Sequence, residues 1–267
     1  MARFWGWLPL LLVSACGGCD SDKKPSGAMA SGSASVERAA PQPLATDARP
    51  LVPRGSASVA QRESLPPLEG PKQVTLERAG KSVGRVVVPV GEQLTQPVLV
   101  VLTTPDTAKE CVRWEQIKPA SGFLLCPSAA SDSSAGVKSL KDAIQALSAK
   151  FGKHVGQRST LVGYGAGADA ALDLMRESPI LFPRGFLIGG GVSGFSSGVV
   201  RAFAAQGGER VLFACKDCAA GRSVSNLLRS GLQAKHLEQA ELDAQALKSA
   251  WAWLSEGDPW WKPDAAK

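Results

Sequence analysis

Leu161-Val-Gly-Tyr-Gly-Ala-Gly-Ala-Asp-Ala-Ala-Leu172 reads as a buried strand that runs into a tight glycine turn and then a helix. That is the layout of a G-x-S-x-G elbow, in which a strained strand-to-helix turn lifts a serine hydroxyl to the top of a sheet. Here Gly163, Gly165 and Gly167 give G-x-G-x-G, with Gly165 where the serine would stand. A hydrogen cannot attack a carbonyl, so the nucleophile is missing. Glycine nevertheless suits the turn, because a strained backbone angle is tolerated most easily by a residue without a Cβ. The sequence keeps the shape of such a site without its chemistry.

Strand and helix patterns alternate on either side. Val74-Thr-Leu76 and Arg85-Val-Val-Val-Pro-Val90, joined through Ala79-Gly80-Lys81, predict an antiparallel hairpin with glycine in its turn. Pro97-Val-Leu-Val-Val-Leu102 and Gly122-Phe-Leu-Leu-Cys126 are continuous apolar runs, the signature of strands covered on both faces. A short helix is expected over 108–117. Leu140, Ile144, Leu147 and Phe151 fall on one stripe of an amphipathic helix. Beyond the elbow helix, Gly185-Phe-Leu-Ile188 and Arg210-Val-Leu-Phe-Ala214 repeat the buried-strand pattern. A helix over 224–232, a last strand over 235–239 and a closing helix carrying Leu247, Trp251 and Leu254 complete the order. A hairpin followed by βα repeats predicts a mixed sheet, parallel except at one edge, with helices on both faces. A glycine-rich turn of this kind also opens dinucleotide-binding folds. That pattern wants G-x-G-x-x-G in the first βα unit, whereas this turn comes in the third or later.

At these residues the chain resembles the α/β-hydrolase superfamily, in particular its compact esterase and carboxylesterase-like members. The likeness spans 85–254. Gln157-Arg-Ser-Thr-Leu-Val-Gly163 looks like the run into the elbow, and Phe186-Leu-Ile-Gly-Gly-Gly-Val-Ser-Gly194 like the strand and Ser-Gly that follow the elbow helix. Cys126-Pro-Ser-Ala-Ala130 is similar to the exit from the fourth strand. The resemblance implies a three-layer α/β sandwich and places each member of a catalytic triad, all of which look altered. The acid falls on Cys218, or on Asp217 if the register slips by one. The base falls near Ala240, where there is no histidine. Of the two histidines in the chain, His154 precedes the elbow strand, at the far end of the sheet, and His236 lies inside the last strand. The oxyanion side, His-Gly in the family, reads Thr103-Thr104, where a backbone amide is still expected to donate. Ser193 is the one nearby hydroxyl and resembles a structural serine of the family.

The cysteines supply a rival chemistry. Cys111, Cys126, Cys215 and Cys218 lie in the domain, an even number that suggests disulfides if the chain is exported. Cys111 with Cys126 is the natural pair. Cys215-Lys-Asp-Cys218 is a C-x-x-C, which can serve as a loop staple or exchange disulfides. The helix is expected to start only after Ser223, which favours the staple. Zinc held by four thiolates would need a second C-x-x-C knuckle, and Cys111 and Cys126 are too widely spaced to form one. No metal and no cofactor are expected.

Met1-Ala-Arg-Phe-Trp-Gly-Trp-Leu-Pro-Leu-Leu-Leu-Val-Ser-Ala-Cys16 is a short apolar run after one positive charge, a pattern of export rather than of a membrane span. Val13-Ser-Ala-Cys16 resembles a bacterial lipobox, implying lipidation of Cys16 and attachment to a membrane at the cell envelope, on the periplasmic or outer-surface side. The expected organisation is a signal peptide over 1–15, a disordered Ser/Ala/Pro-rich tether over 16–71, the α/β-hydrolase-like domain over 72–256 and a C-terminal tail over 257–267. In that tail Trp260 and Trp261 are expected to fold back on the domain. The formal net charge of +6 is scattered, without a basic cluster interleaved with aromatics, so nucleic acid is not an expected partner. Several coincident triad losses point to a catalytically inactive binding or scaffold module for a small molecule, glycan or protein. Ester hydrolysis by a non-standard arrangement and thiol–disulfide exchange at Cys215 and Cys218 stay open as alternatives.

Overall fold

Successive side chains of a strand point to opposite faces of its sheet, so a strand apolar at every position needs cover on both sides. The computed structural model, which describes residues 64–239 and 242–261, supplies that cover. All of these residues belong to the unit Ser56–Lys267; the unit Met1–Gly55, with Cys16 and the expected signal peptide, lies outside them.

An antiparallel hairpin comes first, β1 (Gln73–Arg78) and β2 (Lys81–Val87). Its turn residues Ala79 and Gly80 both have left-handed φ, 51° and 73°, the twist that a tight hairpin prefers. The chain then alternates through β3 (Gln96–Leu102), α1 (Glu110–Ile117), β4 (Phe123–Pro127), α2 (Ser133–Phe151), β5 (Val155–Tyr164) and α3 (Ala166–Glu177). It continues with β6 (Arg184–Ile188), α4 (Ser197–Ala205), β7 (Arg210–Ala214), α5 (Ala220–Arg229), β8 (Gln233–Leu237) and α6 (Ala244–Ser255). The eight strands form one sheet in the order β1-β2-β4-β3-β5-β6-β7-β8. β2 is antiparallel to both neighbours and the remaining pairs are parallel.

Alternation along β3 separates the two cores. Val98, Val100 and Leu102 join the face covered by α2, α3, α4 and α5, while Leu99 and Val101 join the face covered by α1 and α6. The result is the expected three-layer α/β-hydrolase-like sandwich, mostly parallel with an antiparallel N-terminal hairpin. Asp132 and Asp243 fix the starts of α2 and α6 by accepting from the amides of Ala135 (2.9 Å) and Ala246 (2.7 Å).

Several boundaries differ from the sequence reading. α4 is not expected from the pattern, because Gly194-Phe-Ser-Ser-Gly198 reads as loop and the short apolar run that follows, Val199 to Phe203, is interrupted by Arg201. α5 starts at Ala220 rather than after Ser223, and β8 lies two residues earlier than expected. Leu65 and Leu68, at the end of the stretch read as tether, donate their amides to the carbonyls of Gln93 (2.6 Å) and Glu92 (3.0 Å), and Leu68 is buried. That end of the stretch is therefore part of the fold. Trp261 folds back as expected, buried edge-on against Trp251 with ring centroids 4.7 Å apart. Among the described residues no helix is long and apolar enough to cross a membrane.

The register places the site. Tyr164, Ile188, Ala214 and Leu237 form one row across β5, β6, β7 and β8. One step beyond that row stand Gly165, Gly189 and Cys215, at the carboxyl edge of the parallel strands where open α/β sheets bind their ligands.

Candidate active site

Gly165 has φ 55° and ψ −123° as the residue that caps α3. This left-handed conformation favours glycine and is the strained strand-to-helix turn of an elbow. Its amide donates to the Ile188 carbonyl at 2.8 Å, and its carbonyl accepts from Ala168 at 2.9 Å, so the turn is held from both sides. The flanking glycines are present for a different reason. A Cβ on Gly163 would lie 2.5 Å from the Ala168 Cα, and one on Gly167 would lie 2.5 Å from the Leu102 carbonyl oxygen. Gly190 is equally constrained, with the Gly165 carbonyl oxygen 2.5 Å from its Cβ position. Strand β5, helix α3 and strand β3 therefore meet at backbone-to-backbone distance, and the elbow is built with only its side chain missing.

Below the turn Tyr164 is buried and its hydroxyl accepts from Trp114 Nε1 at 2.9 Å. Burial pushes the phenol well above its ordinary value, and the nearby Glu110 charge adds to this. Tyr164 is neutral and serves as an anchor between β5 and α1 rather than as a base.

The oxyanion side is occupied. The Thr104 amide, expected to be available, donates instead to Thr107 Oγ1 at 2.8 Å within a short 3-10 turn over Pro105–Thr107. Pro105 has no N–H to offer. Ala166, the first residue of α3, still carries an amide that the helix itself does not use. One donor of a possible pair is left.

No histidine accompanies the elbow. His236 lies on β8 paired in register with Phe213, three strand spacings from β5, or about 14 Å. A general base must come within hydrogen-bond reach of its nucleophile. Instead His236 Nε2 lies 3.5 Å from Cys215 Sγ, 3.6 Å from Cys218 Sγ and 3.1 Å from the Cys215 carbonyl oxygen. His154 sits just before β5, at the opposite end of the sheet, and its buried Nδ1 has no partner among the described residues. Ala240 lies outside the described residues. Asp217, the alternative acid, is exposed with a left-handed φ of 54°, and Ser193 is exposed in the loop between β6 and α4.

Both expected cysteine pairs are bonded. Cys111 and Cys126, Cα atoms 6.2 Å apart, join α1 to β4, and Cys215 and Cys218, 5.8 Å apart, close the loop after β7. Cys215 Sγ, Cys218 Sγ and the His236 ring also form a group of three potential ligand atoms within 4.8 Å of one another. The sequence reading missed this grouping, although its signal was present: a C-x-x-C that ends one strand and a histidine inside the next. A groove of about 950 Å³ lined by Leu65, Ile180, Leu181 and Trp260 lies at the other end of the sheet, beside the start of β5.

No family model matches the chain, and no curated protein matches it. Among solved structures it is similar to Est1E from Butyrivibrio proteoclasticus, at 7% identity and a TM-score of 0.48, covering 67% of this chain and 96% of that one. It is also similar to an IroE-like serine hydrolase from Shewanella oneidensis, at 13% identity and a TM-score of 0.45 over 68% and 77% of the two chains. A thermostable esterase is similar at 16% identity and a TM-score of 0.45, over 62% and 53%.

Proposed function

We propose that this chain is a lipid-anchored, exported binding or scaffold module of the bacterial cell envelope that does not hydrolyse esters. One observation carries the reading. The elbow backbone is intact at Gly165, with no nucleophile on it, while the described histidine at this edge of the sheet is held by Cys215 and Cys218. Acyl transfer needs nucleophile, base and oxyanion donors converging on one carbonyl. Restoring one of them leaves the others absent. What remains is a turn at the carboxyl edge of the sheet, bordered by Thr104 and by the Ala166 amide that α3 does not use, suited to binding a small molecule, a glycan or a segment of a partner protein. The lipobox-like Val13-Ser-Ala-Cys16 supports attachment through Cys16.

Two measurements test the reading. The full chain in detergent is assayed against short and long acyl esters beside heat-inactivated protein and Ser193→Ala. The expected result is turnover no greater than in the heated control. Turnover that disappears with Ser193→Ala identifies a hydrolase with a non-standard arrangement and overturns the proposal. Cys16→Ala is expected to move the protein from the membrane fraction to the soluble fraction; unchanged membrane attachment removes the lipid anchor from the reading.

A further inference from the structure

Cys215 and Cys218 are three residues apart, and a loop so short withdraws little freedom from the unfolded chain. As a staple the bond contributes little, yet its surroundings are those of a reactive pair. Cys215 is 7% exposed at the end of β7, whereas Cys218 is only half-buried and is the more accessible sulfur. Helix α5 begins two residues past Cys218, so the positive end of its dipole lies beside that thiol. From β8, His236 Nε2 approaches both sulfurs at 3.5 and 3.6 Å. The same nitrogen is 3.1 Å from the Cys215 carbonyl oxygen, which has lone pairs and no proton. Nε2 must therefore carry the hydrogen of that contact. In this tautomer Nε2 is a donor, and it lies within reach of a thiolate formed at either sulfur.

We infer that Cys215–Cys218 is an exchangeable disulfide that oxidises dithiols, with the Nε2–H of His236, shared between the Cys215 carbonyl and the neighbouring sulfur, stabilising the thiolate that leaves. A substrate thiolate attacks the accessible Cys218 Sγ, and a bond forms between the two sulfurs. The Cys215–Cys218 bond breaks, and its electron pair departs on Cys215 beside His236. The second thiolate of the substrate attacks its own sulfur in the mixed disulfide and releases Cys218. Two electrons pass from the dithiol to the protein, and the two protons lost by the substrate thiols are matched by those taken up at Cys215 and Cys218. His236 is a positioning residue in this scheme. Because it stabilises the reduced form, it makes the pair more readily reduced than the buried Cys111–Cys126.

The test equilibrates the full chain without oxygen in glutathione buffers of graded ratio, traps thiols by alkylation and reads each cysteine by peptide mass spectrometry. Cys215 and Cys218 are expected to be reduced at a ratio that leaves Cys111–Cys126 oxidised, and Cys215→Ala to accumulate glutathione on Cys218. His236→Ala is expected to lower the equilibrium constant for reduction about tenfold, equivalent to about 30 mV, with partial rescue by His236→Gln, which keeps an N–H donor. Three results overturn the inference: equal resistance of both pairs, a constant unchanged in His236→Ala, or stoichiometric Zn²⁺ on the reduced protein that is lost in His236→Ala. If that variant does not fold, the comparison of the two pairs and the Cys215→Ala adduct decide.

Discussion

Gly165 and Thr104 face each other across the elbow, and a Cβ on Gly165 would meet the Thr104 Cγ2 alone, at 3.8 Å. The turn has room for a side chain; the obstacle is conformational. Gly165→Ser is therefore expected to fold with a loss of about 1–3 kcal/mol, the cost of holding a non-glycine residue at such an angle. It is also expected to show no ester turnover, because neither a base nor a complete oxyanion site comes with it. A thermal melt and the acyl ester panel check both halves. Appreciable turnover in this variant contradicts the assignment of an empty base position.

Gly163 gives the opposite case. Its φ is not left-handed, but its Cβ position is filled by the backbone of α3, with the Ala168 Cα at 2.5 Å. Backbone cannot rotate away as a side chain can. Gly163→Ala is expected to cost about 3 kcal/mol, more than Gly165→Ala, because β5 and α3 must separate to admit the methyl. Denaturation midpoints compared at constant m-value test the order, and the reverse order sinks the claim that close packing dictates the flanking glycines.

Cys111 and Cys126 are both buried and close a loop of 15 residues between α1 and β4. A loop of this length is worth about 3 kcal/mol in the chain-entropy account. The Cys111→Ala/Cys126→Ala double variant is expected to lose that amount, visible as a melt several degrees lower and insensitive to reductant at that pair. A double variant as stable as the parent removes the disulfide from the list of supports.

The sheet was legible because its signals are local and strong: five apolar runs, a hairpin with glycine in its turn, and helix patterns between most of the later strands, the one after β6 excepted. The elbow was legible for the same reason, since three alternating glycines after a buried strand have few other uses. What the sequence concealed depends on contacts across the chain. The capture of the Thr104 amide by Thr107 needs a 3-10 turn that Thr-Thr-Pro-Asp-Thr does not announce, although Pro105 does show the loss of one donor. The contact of His236 with both sulfurs follows from the pairing of Phe213 with His236, a register that periodicity alone does not give. The early start of α5 leaves no mark in the sequence, because Ala219-Ala-Gly carries no capping side chain.

Glu209 couples stability to pH. Burial alone would raise its pKa, but hydrogen bonds and charge from Arg158 and Arg184 outweigh burial and hold it below the ordinary glutamate value of 4.5. Arg184 Nε donates to Glu209 Oε2 at 2.6 Å, and the guanidinium also donates to the Leu254 carbonyl at 2.6 Å, tying β6 to α6. A carboxylate with a depressed folded pKa contributes stability that is complete above its unfolded value and is lost as pH falls through the folded one. The stability difference between the parent and Glu209→Gln is therefore expected to be constant near neutrality and to shrink below about pH 4.5. Urea midpoints from pH 7 to pH 3 measure it. A difference that persists undiminished at the acid end assigns the effect to packing rather than to charge.

Trp261 makes the described start of the C-terminal tail, 257–261, part of the core, and a double-mutant cycle can show this. The indole is buried against Trp251 beyond the end of α6, and its Cη2 occupies the space 2.7 Å from where a Cβ on Gly122 would stand. Trp261→Ala removes a large apolar contact and is expected to cost about 3–5 kcal/mol. Gly122→Ala is destabilising for two reasons: the ring blocks the methyl, and φ is 84°. Removing the ring abolishes the first reason and leaves the second, so Gly122→Ala is expected to cost less in the Trp261→Ala background than alone. The interaction energy is of the order of 1 kcal/mol for residues in contact. Strict additivity, with each single variant cooperative and folded, would mean that the indole leaves Gly122 when the protein is in solution and that the tail is not packed as described.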